Sequence, residues 1–411
     1  MNIGYACIAL GVPGAELKTC RLANASHDTL YRLVENNLSA LEAMLTYNAR
    51  EGIYLFRISS ELVPFGSHPA VRFPWTEIFA AQLKALGGII RLYGMRVSMH
   101  PGQYTLLNAT DAGVTQRSID DIRYHAAVMD ALGTDHTHKI VLHIGGTYGD
   151  KTQSMQRFKT HFQELEPALR RRIVLENDDR HFHIGDVLET ATSLGMPAVF
   201  DSLHHAVNSC GGSAAHWITA CQPTWDSRQK VHYSQQAAGK KPGAHSDTVR
   251  VGEFLEFCDA LPSRDIDVML EVKDKNLSAV KCRLCTEDDK RIAHLEREWS
   301  RYKYAVLERD PVAYNRIRGL LKDKSAYPAV EFYSIIEQAM RQTFHPGHAL
   351  NAAQHVWGYF SQLATEKERQ RFLSLADSFD DLNARRAKAL LKQLTEKYQV
   401  AYLKDSYYFL N

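Results

Sequence analysis

Lys139-Ile140-Val141-Leu142-His143 and Ile173-Val174-Leu175-Glu176 are two short apolar runs, each finishing on an ionisable residue. Between them, residues 154–169 carry apolar side chains at helical spacing. A strand, a helix and a second strand of this kind form a unit whose strands run parallel, because the helix returns the chain to the end where the first strand began. The same pattern extends in both directions. Further β-rich runs lie at 3–8, 53–58, 96–99, 198–200, 230–233 and 267–270, and helical patterns at 29–50, 75–93, 116–132, 185–195, 214–220 and 248–260. Eight strands alternating with helices over this length predict an α/β fold of the TIM (β/α)8 barrel type, whose usual size is about 250 residues. A doubly wound open sheet is the alternative.

The strand ends carry the chemistry. His100 follows Arg-Val-Ser-Met, His143 follows Lys-Ile-Val-Leu, Glu176 follows Ile-Val-Leu, Asp201 follows Ala-Val-Phe, His232 sits in Lys-Val-His-Tyr, and Glu271 follows Asp-Val-Met-Leu. Any one of these residues has an ordinary structural use as a helix cap or a core hydrogen-bonding group. In a parallel barrel, however, all six reach the same mouth. Carboxylates gathered there repel one another unless cations neutralise them. Imidazole and carboxylate donors without thiolate suit Mn²⁺, Zn²⁺ or Fe²⁺, and six exceed one tetrahedral site. A cluster of two or three metals is therefore expected, and it suits phosphate-ester cleavage. His204, His245 and His68 lie on loops that can reach the same mouth, and Lys230 shares a strand face with His232.

Composition narrows the setting. The 411 residues hold 49 Lys+Arg against 47 Asp+Glu, so bulk charge does not announce a nucleic-acid partner. Residues 1–285 hold 29 basic against 30 acidic side chains, so part of the attraction for phosphate would come from bound cations, assisted by the Lys240-Lys241 loop. Seven scattered cysteines give no disulfide framework, the N-terminus lacks a signal-peptide layout, and no run reaches the roughly 18 apolar residues of a membrane span. A soluble cytoplasmic protein, nucleoid-associated and without a membrane partner, is the expectation. From residue 286 to 411 no strand pattern is evident; Leu295, Trp299, Tyr302 and Val306 fall on one helical face, and 383–398 is strongly helical. The expected division is thus a barrel over 1–285 and a helical domain over 286–411.

Taken in order, Gly4-Tyr5, Ser67-His68-Pro69, Ser98-Met99-His100-Pro101-Gly102-Gln103-Tyr104, Leu142-His143-Ile144-Gly145-Gly146, Leu175-Glu176-Asn177-Asp178, Asp201-Ser202-Leu203-His204-His205, Lys230-Val231-His232, Pro242-Gly243-Ala244-His245 and Glu271 resemble the UV damage endonuclease family. The resemblance covers residues 1–275. It implies a barrel related to endonuclease IV, holding two or three divalent ions, usually Mn²⁺ with Zn²⁺, Co²⁺ or Mg²⁺ as alternatives. It also implies damaged double-stranded DNA as the partner, nicked immediately 5′ of cyclobutane pyrimidine dimers and 6-4 photoproducts, with abasic sites as further candidates, leaving 3′-hydroxyl and 5′-phosphate ends. By position, the resemblance assigns metal binding to His100, His143, Glu176, Asp201, His204, His232, His245 and Glu271, with His68 associated. Glu176, Lys230, His232 and Glu271 become the catalytic set, Lys230 matching a lysine that the family can carry carboxylated. Gln103 and Tyr104 match a pair that probes the duplex, and Tyr5 a residue near the damaged nucleotides; Ala9 stands where the family usually has Asn. A metal-dependent sugar isomerase or epimerase on the same barrel, and an abasic-site endonuclease, are the competing readings.

Overall fold

The computed structural model describes residues 1–410. Eight strands are present: β1 (Asn2–Ala6), β2 (Leu55–Arg57), β3 (Arg96–Ser98), β4 (Ile140–Leu142), β5 (Ile173–Glu176), β6 (Ala198–Asp201), β7 (Lys230–Tyr233) and β8 (Asp267–Leu270). Their order is β3-β2-β1-β8-β7-β6-β5-β4, every pair parallel. Past the end of β3, Met99 bridges to Ile140 of β4, with Met99 N–H donating to Lys139 O at 3.1 Å and Val141 N–H to Met99 O at 3.0 Å. That bridge brings the sheet round on itself, so the fold is a TIM-type barrel.

Alternation along each strand sorts side chains into an axial set and a set that packs under the helices. Val141, Val174 and Val199 cluster with Trp225, whose indole N–H donates to Ala198 O at 2.8 Å. Two residues further along the same three strands come His143, Glu176 and Asp201. The barrel therefore carries an apolar layer beneath an ionisable one. At Gly4 an added Cβ would lie 2.1 Å from Leu55 O, so β1 and β2 approach closely only because that position has no side chain.

Helix His27–Arg50 starts at Ser26, whose hydroxyl accepts the Thr29 N–H at 3.2 Å, and buries Leu30, Val34, Leu38, Leu41 and Leu45. Two expected helices are each divided. Residues 75–93 form Trp75–Ile78 and Ala80–Leu92, interrupted at Phe79. Residues 154–169 fall into Lys151–Glu164 and Pro167–Arg172. The second break begins at Leu165, already extended at ψ 150°; Pro167 then holds Glu166 extended at ψ 139° and serves as the first residue of the next helix.

The chain forms two compact units, one of Met1–Leu10, Gly14–Val249 and Glu256–Val280, the other of Gly11–Pro13, Arg250–Leu255 and Lys281 onward. The division falls at 280/281. The second unit includes helices Ile292–Arg309, Pro311–Leu320, Ala329–Met340, Pro346–Trp357, Glu366–Ala376 and Asp381–Lys397. Ala352, Val356, Phe360, Phe372, Leu391 and Leu394 form its core, with Trp357 stacked on Phe372 at 4.4 Å. Among the described residues no helix is long and apolar enough to cross a membrane.

Candidate metal centre

Glu176 closes β5 at the barrel mouth and is 1% exposed. Its Oε2 lies 3.0 Å from His100 Nε2 and 3.5 Å from His143 Nε2, while its Oε1 lies 2.7 Å from His232 Nδ1 and 3.8 Å from His204 Nδ1. Glu271 Oε1 is 3.2 Å from the same His232 nitrogen. Asp201 Oδ1 accepts the His204 N–H at 2.7 Å. Three donor sets able to hold a metal ion result, His100/His143/Glu176, Glu176/His232/Glu271 and Glu176/Asp201/His204, each with ligand atoms within 4.8 Å of one another. Glu176 belongs to all three.

The electrostatics fit cations. Burial alone would drive His232 toward neutrality, yet Glu176 and Glu271 raise it to about 9; His204, opposed by burial in the same way, is raised to about 9 by Asp201 and Glu176. Burial opposes ionisation of Glu176 and Glu271 as well, but His232 beside the first and Arg57 beside the second hold both well below the usual carboxylate range. Among the described residues, Asp201 Oδ2 and His232 Nε2 are buried with no hydrogen-bond partner. An acceptor and a ring nitrogen left unpaired in a polar cluster are costly unless something binds them. With nitrogen and oxygen donors only, the set matches borderline or hard divalent ions.

Other expected residues are placed as follows. His245 reaches the edge of the cluster, its Nε2 4.0 Å from Glu271 Oε2. His68 stands outside the donor sets: its Nδ1 accepts the Ala70 N–H at 3.2 Å and its ring meets Phe65 edge-on. Lying two residues before His232, Lys230 is fully buried, and among the described residues its Nζ has no hydrogen-bond partner. Burial, with Arg96 nearby, pushes its ammonium well below the usual lysine range. Gln103 lines a cleft of about 510 Å³ beside His100, His143 and His204, and Tyr104 is 80% exposed on the same loop. Ala9 is buried.

Tyr5 requires a correction. It is 0% exposed, and its hydroxyl donates to Asn48 Oδ1 at 2.8 Å on helix His27–Arg50. Strand alternation is the reason: Gly4 and Ala6 take the axial face of β1, which turns Tyr5 under the helix and away from any ligand at the mouth. Tyr5→Phe is expected to cost about 1–3 kcal/mol by stranding Asn48 Oδ1, measured by denaturant unfolding, and to leave affinity for DNA unchanged.

Three positioning groups escaped the sequence reading. Arg57, closing β2, bonds Glu271. Asn177 accepts the Asp201 N–H at 2.8 Å through its side chain, and its carbonyl lies 2.8 Å from His204 Nδ1. Ser60 Oγ lies 3.1 Å from His100 O and 2.8 Å from His125 Nε2. Arg57 carried a readable signal, an ionisable residue at a strand end, but a cation is no metal ligand.

The model of the family described as UV-endonuclease UvdE matches residues 1–300, and that of a protein of unknown function, DUF1722, matches residues 303–411. A UV DNA damage endonuclease of Clostridium perfringens is 32% identical over 99% of both chains. One of Bacillus cereus (strain Q1) is 32% identical over 62% of this chain and 82% of its own. The crystal structure of SacUVDE, 34% identical, superposes with a TM-score of 0.67 over 69% of this chain and 96% of that one. With the family model spanning the whole barrel and every metal-donor set inside it, the chain belongs to the UV-endonuclease UvdE family.

Proposed function

We propose that this chain is a divalent-metal-dependent endonuclease that nicks damaged double-stranded DNA immediately 5′ of cyclobutane pyrimidine dimers and 6-4 photoproducts, leaving 3′-hydroxyl and 5′-phosphate ends. Glu176, shared by three overlapping donor sets at one barrel mouth, carries the reading. Bound divalent ions, Mn²⁺ first among them, supply Lewis-acid activation of water and charge stabilisation at the leaving oxygen. His100, His143, His204, His232, Asp201 and Glu271 would hold them together with Glu176, with His245 at the edge. Burial disfavours the charged form of Lys230, two residues before His232 on β7, which limits its opposition to cation binding. Gln103 and Tyr104 stand on the loop that follows His100, so the pair that meets the duplex shares a mount with a ligand. Damaged dinucleotides stack poorly, which lowers the few kcal/mol needed to turn them out of the helix. Abasic sites fit the same logic.

The test is a duplex bearing one cyclobutane dimer, labelled in turn on each strand and end. A single nick 5′ of the dimer, lost on chelation and restored by Mn²⁺, is expected; no incision with Mn²⁺, Zn²⁺, Co²⁺ or Mg²⁺ would overturn the reading.

Metal uptake has a pH signature. With His204 and His232 at about 9, both rings carry protons at pH 7.5 and must lose them to ligate. Loading at that pH is expected to release about two protons, and affinity to fall as pH drops from 8 to 6. Titration calorimetry in buffers of different ionisation enthalpy counts the protons; a count near zero contradicts the assignment of these two histidines as ligands.

A further inference from the structure

The loop after β4 is built around an aromatic side chain that no step above uses. Tyr148 sits in Gly145-Gly146-Thr147-Tyr148-Gly149 with φ +49°, a region that costs a bulky residue energy and that its glycine neighbours occupy freely. Its ring is 46% exposed and lines the same cleft as Gln103, His143, His204, Arg180 and His181. A strained, half-exposed aromatic at the rim of a cleft is an outlier that asks for a function.

The loop is firmly held. Asn108 Nδ2 donates to Gly146 O at 2.7 Å, and Ser154 Oγ to Thr147 O at 2.6 Å. A Cβ at Gly145, where φ is +114°, would fall 2.3 Å from Asn108 Oδ1 and break that tie. The Arg157 guanidinium lies 5.4 Å from the Tyr148 ring centre and is itself fixed, Nε donating to Asn108 O at 3.0 Å and Nη2 to Ser154 Oγ at 2.7 Å. The ring is thus positioned in advance, at little further entropic cost on binding.

The walls select a class of ligand. Arg180 and His181 face the cleft, but so do Asp178 and Asp179, and the Asp178 carboxylate is turned onto the loop itself, accepting the backbone N–H groups of Arg180 and His181 at 2.8 and 2.5 Å. His100, His143 and His204 line the part of the cleft where bound cations would take the phosphate, whereas the Tyr148 ring, among charges of both signs, offers a flat surface to a neutral group. At about 510 Å³ the cleft has room for a nucleobase.

We infer that Tyr148 is the stacking platform of a nucleobase subsite, taking an unpaired base turned out of the duplex at the lesion. The inference rests on the DNA-cutting reading above. Base stacking on an aromatic side chain is sequence-tolerant, so the subsite would tell stacked from extruded bases without reading their identity.

The experiment compares Tyr148→Phe and Tyr148→Leu with the native enzyme, loaded with Mn²⁺, on a duplex carrying one cyclobutane thymine dimer. Leu is apolar and carries a Cβ as Tyr does, but has no π face. Tyr148→Leu is expected to raise KM roughly tenfold to a hundredfold, with kcat changed by less than about threefold. Tyr148→Phe should stay within about threefold of the native enzyme, and metal content should be unchanged in both. The inference is overturned if Tyr148→Leu keeps the native KM, or if Tyr148→Phe falls as far as Tyr148→Leu. If the native enzyme cuts no damaged duplex, the DNA-cutting reading itself fails; native cutting with an unaltered Leu variant removes the subsite alone.

Discussion

Glu176→Gln is expected to lower incision of a dimer-containing duplex by roughly a thousandfold or more, about 4 kcal/mol of barrier. The size follows from sharing. Asp201 contributes to one donor set, whereas Glu176 contributes to three and reaches His100 and His143 with one oxygen, His232 and His204 with the other. Glutamine keeps the shape but removes the charge. Its amide NH₂ must also face one of the two imidazole pairs that the carboxylate faces with acceptors alone. Metal content measured by plasma mass spectrometry should fall together with rate, while circular dichroism stays native because the side-chain volume is preserved. Asp201→Asn provides the contrast, with a smaller loss of metal. A Glu176→Gln enzyme within tenfold of the native rate would show that the shared carboxylate is dispensable, and the proposed metal cluster would fall with it.

The reason so much of this centre was legible is the period of two along a parallel strand. His100, His143, Glu176, Asp201 and Glu271 each end or immediately follow a β-rich run, His232 lies within its own, and closing the barrel brings these positions into one ring of side chains. The same rule also decides Tyr5. Resemblance placed that residue near the lesion, yet its parity on β1 assigns Gly4 and Ala6 to the axis and Tyr5 to the helix side, a conclusion open to anyone counting alternate residues. Other features had no local signal. Nothing near Ser60 announces that its hydroxyl meets both His100 O and His125 Nε2, because those contacts span 40 and 65 residues. By contrast, the break before Pro167 was written in the sequence and overlooked.

If the C-terminal ends of the strands serve chemistry, the ion pair at the N-terminal end of β8 should serve stability alone, and Asp267→Ala tests this. Asp267 opens β8, four positions before Glu271 on the same axial face, and is 0% exposed. Its Oδ1 accepts from Asn2 Nδ2 at 2.9 Å and its Oδ2 from Arg96 Nη1 at 2.8 Å, with Arg228 Nη1 3.7 Å away. Arg96 in turn lies 5.4 Å from the Trp225 ring centre that packs the apolar layer. Removing the carboxylate leaves the 12%-exposed Arg96 side chain in the barrel without its ion-pair partner, beside Lys230 and over a cavity. Arg96 keeps its bonds to Arg228 O at 2.6 Å and Thr137 O at 3.2 Å, so breaking the pair costs about 3 kcal/mol, the lower end for a buried ion pair. The first thermal transition should fall by on the order of 2 °C for each kcal/mol. At a temperature where the variant is folded, its metal content and kcat should match the native enzyme, because neither Asp267 nor Arg96 belongs to a donor set. The pair of variants thus predicts opposite outcomes at the two ends of one strand bundle: Glu176→Gln folds and does not cut, Asp267→Ala cuts and does not withstand heat. Loss of incision in folded Asp267→Ala, or a midpoint within about 2 °C of native, would remove the division of labour between the two faces.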